Sequence, residues 1–265
     1  MDSSALKLIQ LTAIEAEKAN RLDTHIPAVL HEGGILSLES LQEGRSRFRG
    51  KYTTDSIEAF VSYVQAHPGG EGFVNTENVS AKVYFNIGTT DAPGHADWTG
   101  ELKLKHTPEF SALLQVNGRK LTQRDLVDFI EDWGHCITPF DKDGQPIKPS
   151  VALGAIRNIS IKASNESNHQ ERDFGARRSA VEDIEASAEN GVPYSFGFVA
   201  IPYPGLMQRS FTMRLSILTS GEKPLLVLRI ISIESAVEAI AQEFKRTLEA
   251  QVGDAATLVL GNFSP

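Results

Sequence analysis

Residues 98–133, WTGELKLKHTPEFSALLQVNGRKLTQRDLVDFIEDW, decide the fold class. Trp98, Gly100, Leu102 and Leu104 alternate with Thr99, Glu101, Lys103 and Lys105, the period-two pattern of a strand with one buried face. Thr107-Pro108 then opens a short helix, Asn117-Gly118 turns the chain, and Thr122 caps a second helix on which Leu126, Phe129, Ile130 and Trp133 share a face. A strand followed by two helices with no return strand between them is not the repeating unit of a parallel α/β sheet.

Working outward, Val79, Ala81, Val83, Phe85 and Ile87 alternate with Ser80, Lys82, Tyr84 and Asn86 and predict a second strand. The connection between the two strands, GTTDAPGHAD at 88–97, is too long and polar for a tight hairpin and predicts a protruding loop whose tip makes contacts outside the domain. Upstream, Thr53-Thr54-Asp55 offers capping groups for a helix that runs to Ala66 and is ended by His67-Pro68-Gly69-Gly70. Leu6, Ile9, Ala13, Ala16 and Ala19 fall at helical spacing between Leu6 and Leu22; the stripe is narrow and alanine-rich, so the helix needs a partner surface. Downstream, ITPFDKDGQPIKPS is rich in Gly and Pro and marks a link. A polar, helical stretch from Ser150 to Asn190 leads to strands at 195–201, 211–218 and 224–233. The last of these is almost continuously apolar, as in a central strand covered on both faces. Ser235 caps a helix carrying Val237, Ile240, Phe244 and Leu248 in line, and ATLVLGNF ends the chain as a strand. The pattern predicts an α+β fold, a mostly antiparallel sheet with segregated helices, in two halves at 1–136 and 151–265 joined by 137–150, or one continuous domain.

Composition narrows the function classes. The 265 residues, 41% of them hydrophobic, suffice for a packed core. A formal charge of −8 argues against a general nucleic-acid coat, which draws its affinity from clustered Lys and Arg. A single cysteine, Cys136, excludes an internal disulfide and a four-thiolate zinc site and fits a reducing cytoplasm. The first twenty residues lack the pattern of a secretory signal, and the longest apolar run, Leu225–Ile233, contains Arg229 and is far short of a membrane span. The expectation is a cytoplasmic protein with no membrane partner.

The chemistry-bearing motifs are incomplete. His31-Glu32-Gly33-Gly34-Ile35 begins like the zinc-protease motif but has Ile35 where the second histidine belongs, and its two glycines disfavour a helix. Asp141-Lys142-Asp143-Gly144 resembles part of a calcium loop, yet Ala152 stands where that loop requires glutamate, so a turn is expected. Gly69-Gly70-Glu71-Gly72 reads as a plain turn. Asp125, Asp128 and Asp132 share one side of a helix and could hold a divalent metal, with Glu131 nearby; the competing reading is a solvated face. His106, His135 and Cys136 are read as capping, surface and buried groups. No phosphate loop, dinucleotide turn or nucleophile elbow is present, so no cofactor and no catalytic residue is assigned.

One local anomaly stands out in this acidic chain. Arg45, Arg47, Arg49 and Lys51 alternate with Ser46, Phe48, Gly50 and Tyr52, which on an extended segment forms a cationic row. Three readings remain open: an edge strand protected by charge, a contact with the acidic surface of another subunit, and a phosphate site. Arg172, Arg177 and Arg178, mixed with Glu171 and Asp173, read as helix-surface ion pairs.

Gln123–Asp132, FTMRLSIL at 211–218 and PLLVLRIISI at 224–233, with the wider run 196–263, resemble the YfdQ-like family of phage- and prophage-encoded proteins of unknown function. The resemblance implies an origin and no reaction. Two expectations follow. The leading one is a non-enzymatic accessory protein that associates with itself into a defined homo-oligomer, a ring or shell, through the 88–97 loop, the N-terminal helix and the basic row. The alternative is a cytoplasmic nucleotide- or DNA-binding protein or enzyme acting during infection, with Arg45, Arg47 and Arg49 on phosphate and Asp125, Asp128 and Asp132 on a metal.

Overall fold

The computed structural model describes residues 3–19, 28–31, 34–159, 191–218 and 224–265. The chain divides into two compact units, Met1–Gly50 and Lys51–Pro265. The fold is α+β, with sheets that are mostly antiparallel.

In the first unit, helix α1 (Ser3–Ala19) precedes a hairpin of β1 (Ala28–His31) and β2 (Gly34–Ser37), and Glu39–Leu41 form a single 3-10 turn. His31 pairs with Gly34 and Leu30 with Ile35 across this hairpin, so the described residues of the zinc-protease-like segment are strand. The remainder of the helix expected to Leu22 lies outside the described residues.

The larger unit contains two five-stranded sheets. The first uses β3 (Gly50–Thr54), β4 (Gly70–Asn75), β5 (Ser80–Tyr84), β6 (Trp98–Lys103) and β12 (Ala256–Leu260) in the order β12-β4-β5-β6-β3. Strand β12 pairs with β4 in parallel, whereas β4 pairs with β5 and β5 with β6 antiparallel. Helix α2 (Ile57–Ala66) packs on this sheet with Phe60 and Val64 fully buried. Its cap is Ser56, whose Oγ accepts from Ala59 N at 3.2 Å, rather than one of the three preceding residues. Thr54 Oγ1 instead accepts from Ser56 N at 3.1 Å, and Asp55 pairs with Lys105 at 2.9 Å.

Of the glycine run at 69–72, only Gly69 is a bend; Gly70–Gly72 lie in strand β4 rather than in a plain turn, and close packing is the reason. A Cβ on Gly72 would lie 2.4 Å from Leu258 Cδ2 and 2.9 Å from Val83 Cγ2. A Cβ on Gly70 would lie 2.6 Å from Val83 Cγ1. The two glycines let neighbouring side chains of β5 and β12 lie across β4.

The second sheet has the order β7-β11-β10-β9-β8, built from β7 (Lys120–Leu121), β8 (Ile137–Phe140), β9 (Ser195–Ala200), β10 (Arg209–Leu218) and β11 (Leu225–Ile230). All its pairings are antiparallel. Helices α3 (Pro108–Val116), α4 (Gln123–Asp132) and α5 (Pro149–Arg157) contribute Phe110, Leu113, Leu126, Ile130 and Ile156 to the core. Strand β11 is not covered on both faces. Leu226, Leu228 and Ile230 are buried, while Leu225 and Val227 are half-exposed and Arg229 is exposed. The apolar run hides an alternation that the single arginine reveals.

The segment 137–150 lies inside the larger unit. Ile137–Phe140 pairs with β9, Asp141 Oδ1 accepts from Asp143 N and Gln145 N at 2.9 and 2.7 Å, and Pro149 starts α5. Residues 141–147 thus form a turn off a paired strand, and the division between units falls after Gly50. The last helix, α6 (Ile233–Val252), starts before the expected Ser235 cap. Ser232 takes the N-cap with φ of 54° and no side-chain hydrogen bond, and the earlier start packs Ile233 and Ala236 against the core. Phe244 and Leu248 are fully buried, with Ile240 and Val252 beside them, whereas Val237 is 45% exposed. The helical stretch expected to continue to Asn190, with Arg172, Arg177 and Arg178, lies outside the described residues beyond Ile159.

Candidate functional site

The basic row is not a row. From Gln42 to Arg49 the chain bends rather than extends, and only Lys51 lies in a strand. Arg49 turns onto Glu39, a carboxylate only 8% exposed: Arg49 Nη1 donates to Oε1 at 3.2 Å and Nη2 donates to Oε2. Ser46 N also donates to Glu39 Oε1, at 3.0 Å, and Arg45 Nη1 donates to Arg49 O at 3.3 Å. These donors, Arg49 first, hold the Glu39 carboxyl below its ordinary range. Arg45 and Arg49 thereby order a bent segment around one carboxylate. Lys51 pairs with Glu101 at 2.5 Å, and Lys82 reaches the same glutamate at 3.3 Å.

Asp125, Asp128 and Asp132 lie exposed on α4. Asp125 is the helix's capping-box carboxylate: its Oδ2 accepts from Thr122 N at 3.0 Å while Thr122 Oγ1 accepts from Asp125 N at 3.1 Å. Asp128 faces Arg124 at 3.7 Å, and Glu131 pairs with Arg157 at 2.6 Å. Among the described residues no group of three or more His, Cys, Asp or Glu side chains is placed to hold a metal ion. The hydrogen bonds from Thr122, aided by Arg119 and Arg124, hold Asp125 below its ordinary pKa. A carboxylate depressed in the folded state contributes stability that is present above its unfolded pKa and lost as pH falls through the folded one. Asp125→Asn is therefore expected to flatten the acid-side loss of stability, read as urea midpoint against pH from neutrality to the lower carboxylate range. Parallel curves for the two proteins would contradict the capping role.

His106 sits between the rings of Phe110 and Tyr203, at 5.1 and 4.8 Å, with Nε2 2.9 Å from the Tyr203 hydroxyl. Burial lowers its pKa and raises that of Tyr203, so both are neutral near pH 7 and serve as packing groups. Cys136 is half-buried, and burial together with the charge of Glu109 pushes its thiol up, away from a reactive thiolate. His135 is exposed with its ring 5.9 Å from that of Trp133.

The 88–97 loop is exposed from Gly88 to His95 and is tightly braced at its base. Gly94 N donates to Ile87 O at 2.7 Å, Thr89 N to Ala92 O at 2.9 Å, and Asn86 Oδ1 accepts from Trp98 N at 3.0 Å. A Cβ on Gly94 would lie 2.0 Å from the Asn86 carbonyl oxygen, so that position admits only glycine without rearrangement. At the same end of the sheet, Tyr63 stacks on Tyr52 at 4.3 Å, and Trp98 Nε1 donates to Tyr63 Oη at 3.1 Å.

With that geometry in view, a family model for uncharacterized conserved proteins, DUF2303, matches residues 2–263. The chain belongs to the DUF2303 family. No curated protein and no solved structure matches it. The family description carries no reaction, so functional argument rests on the surfaces themselves.

Two surfaces were not assembled by sequence reasoning. On α1, Leu6, Leu8, Ile9, Leu11 and Ile14 are 43–66% exposed. The sequence stripe used Leu6 and Ile9; Leu8, Leu11 and Ile14 fall outside it, and their signal is an apolar side chain on more than one side of one helix. On the second sheet, Arg214 and Arg229 are direct cross-strand partners on the exposed face. Each arginine occupies a polar position of an alternating strand, but the register that joins them is not written in either strand alone.

Proposed function

We propose that this DUF2303 protein is a non-enzymatic accessory protein of phage or prophage origin that associates with itself into a defined homo-oligomer, a ring or shell. The observation that carries the reading is α1. At 3.6 residues per turn, Leu6 and Ile9 point to one side of the helix and Leu8 and Leu11 to nearly the opposite side. All four are more than half exposed. A helix that is apolar on several sides belongs in a buried setting. Complete burial of a Leu or Ile side chain contributes about 1.5–3 kcal/mol, so four or five such residues reward association with more than one neighbouring helix. Equivalent helices of further copies supply that setting with the same sequence. The braced, exposed 88–97 loop offers a second contact, and the resemblance to phage- and prophage-encoded proteins supports the origin.

The triple variant Leu8→Ser/Leu11→Ser/Ile14→Ser is expected to lower the light-scattering mass to that of one chain, 29.0 kDa, with the far-ultraviolet dichroism of the larger unit retained. A variant that keeps the wild-type oligomeric mass would remove α1 from the interface.

A further inference from the structure

We infer that the open face of the second sheet binds single-stranded nucleic acid through its phosphates, with Arg214 and Arg229 at the centre of the site. None of the five strands contains Asp or Glu, in a chain with 34 acidic and 26 basic residues. One face is core: Phe196, Phe198, Met213, Leu226 and Leu228 are fully buried. The other carries Arg214 opposite Arg229 in register, with Lys120 opposite Val227 on the neighbouring strand pair. All three cations are exposed, and among the described residues neither arginine side chain has a hydrogen bond or ion pair. Like charges placed directly opposite destabilise a strand pair. The fold carries that cost on two of its three inner strands, and an anion lying between the guanidinium groups removes it.

The surroundings select the anion. Thr212, Ser210 and Thr138 are exposed on the same strands and supply hydroxyl donors. The Phe140 ring lies over Gly197, where a Cβ would approach Phe140 Cε2 to 2.9 Å, and remains partly exposed. The cores of protein–protein interfaces are depleted in lysine and serine, although arginine is enriched there, so the lysine and exposed hydroxyls around this arginine pair depart from that composition. Nucleic-acid interfaces are polar and strongly cationic. A face five strands wide spans about 19 Å at strand spacing, too broad for a duplex major groove of about 12 Å. Single strands, by contrast, lie across open sheets, with phosphates on cations and bases against exposed rings.

The test is fluorescence anisotropy of a labelled, mixed-sequence single-stranded DNA oligonucleotide with the full chain, repeated across salt. Three phosphate contacts predict a slope of log K against log salt near −2, at about −0.7 for each contact on a single strand. Arg214→Gln/Arg229→Gln is expected to weaken binding at least about ten-fold at low salt and to reduce the slope to roughly −0.7. Lys120→Gln alone should reduce it by about 0.7, and Arg45→Gln should leave it unchanged. Each variant is checked for wild-type dichroism. No saturable binding at low salt, unaltered binding by the double variant, or duplex bound as tightly as single strand would overturn the assignment. So would a fall in oligomeric mass in the double variant without any oligonucleotide binding, which would give the face to an acidic protein surface instead.

Discussion

Replacing Phe244 by alanine is expected to lower the unfolding free energy of the larger unit by about 3–5 kcal/mol, the usual cost of truncating a fully buried aromatic ring. Phe244 is fully buried on α6 in line with Ile240, Leu248 and Val252, and the helix that carries it contacts α2. Truncation removes the ring's transfer free energy and leaves a cavity that rigid neighbours do not close. Urea denaturation reads the loss directly, with an unchanged denaturant slope. A loss below about 1 kcal/mol would mean that α6 does not seal the core in this way.

A second large effect is expected one residue earlier. Glu243 Oε2 accepts from Arg209 Nη2 at 2.7 Å, and its Oε1 accepts from Met207 N at 2.6 Å. Arg209 also donates to Ala239 O at 3.3 Å, so a strand of the second sheet is tied to the helix that packs against α2. The side chains are 24% and 11% exposed. Removing one member of a fully buried pair costs about 3–5 kcal/mol because the other charge is left uncompensated. Partial exposure of Arg209 reduces this, so Glu243→Ala is expected to cost about 2–3 kcal/mol. The double variant Arg209→Met/Glu243→Met should recover most of that loss, since two apolar side chains replace two desolvated charges. A double variant no more stable than Glu243→Ala would show that the pair does not act as a unit.

The elements that were legible in the sequence share one property: their determinants are local. Thr107-Pro108 and Thr122 cap their helices as read, because an N-cap works over three residues. The alternation around Val83 and Leu102 gave both strands, since each buries one face. What was misread depended on residues far away in the chain. Gly70 and Gly72 look like turn residues until Val83 is placed against both and Leu258 against Gly72. The arginines at 45–49 look like a strand face until Glu39 takes Arg49 and the Arg49 carbonyl takes Arg45. Ser235 is a good capping residue, but burial of Ile233 starts the helix earlier. The polar face of the second sheet follows the same rule: Arg229 was visible as an interruption, yet its pairing with Arg214 needs a register fixed by the whole sheet.

The most direct test of self-association is the light-scattering mass of the unaltered 265-residue chain across protein concentration and salt, with absorbance at 260 and 280 nm recorded on the same peak. The account predicts one discrete mass, an integral multiple of 29.0 kDa, that persists on dilution and at raised salt because its contacts are apolar. A single-chain mass of 29.0 kDa throughout the range would contradict it.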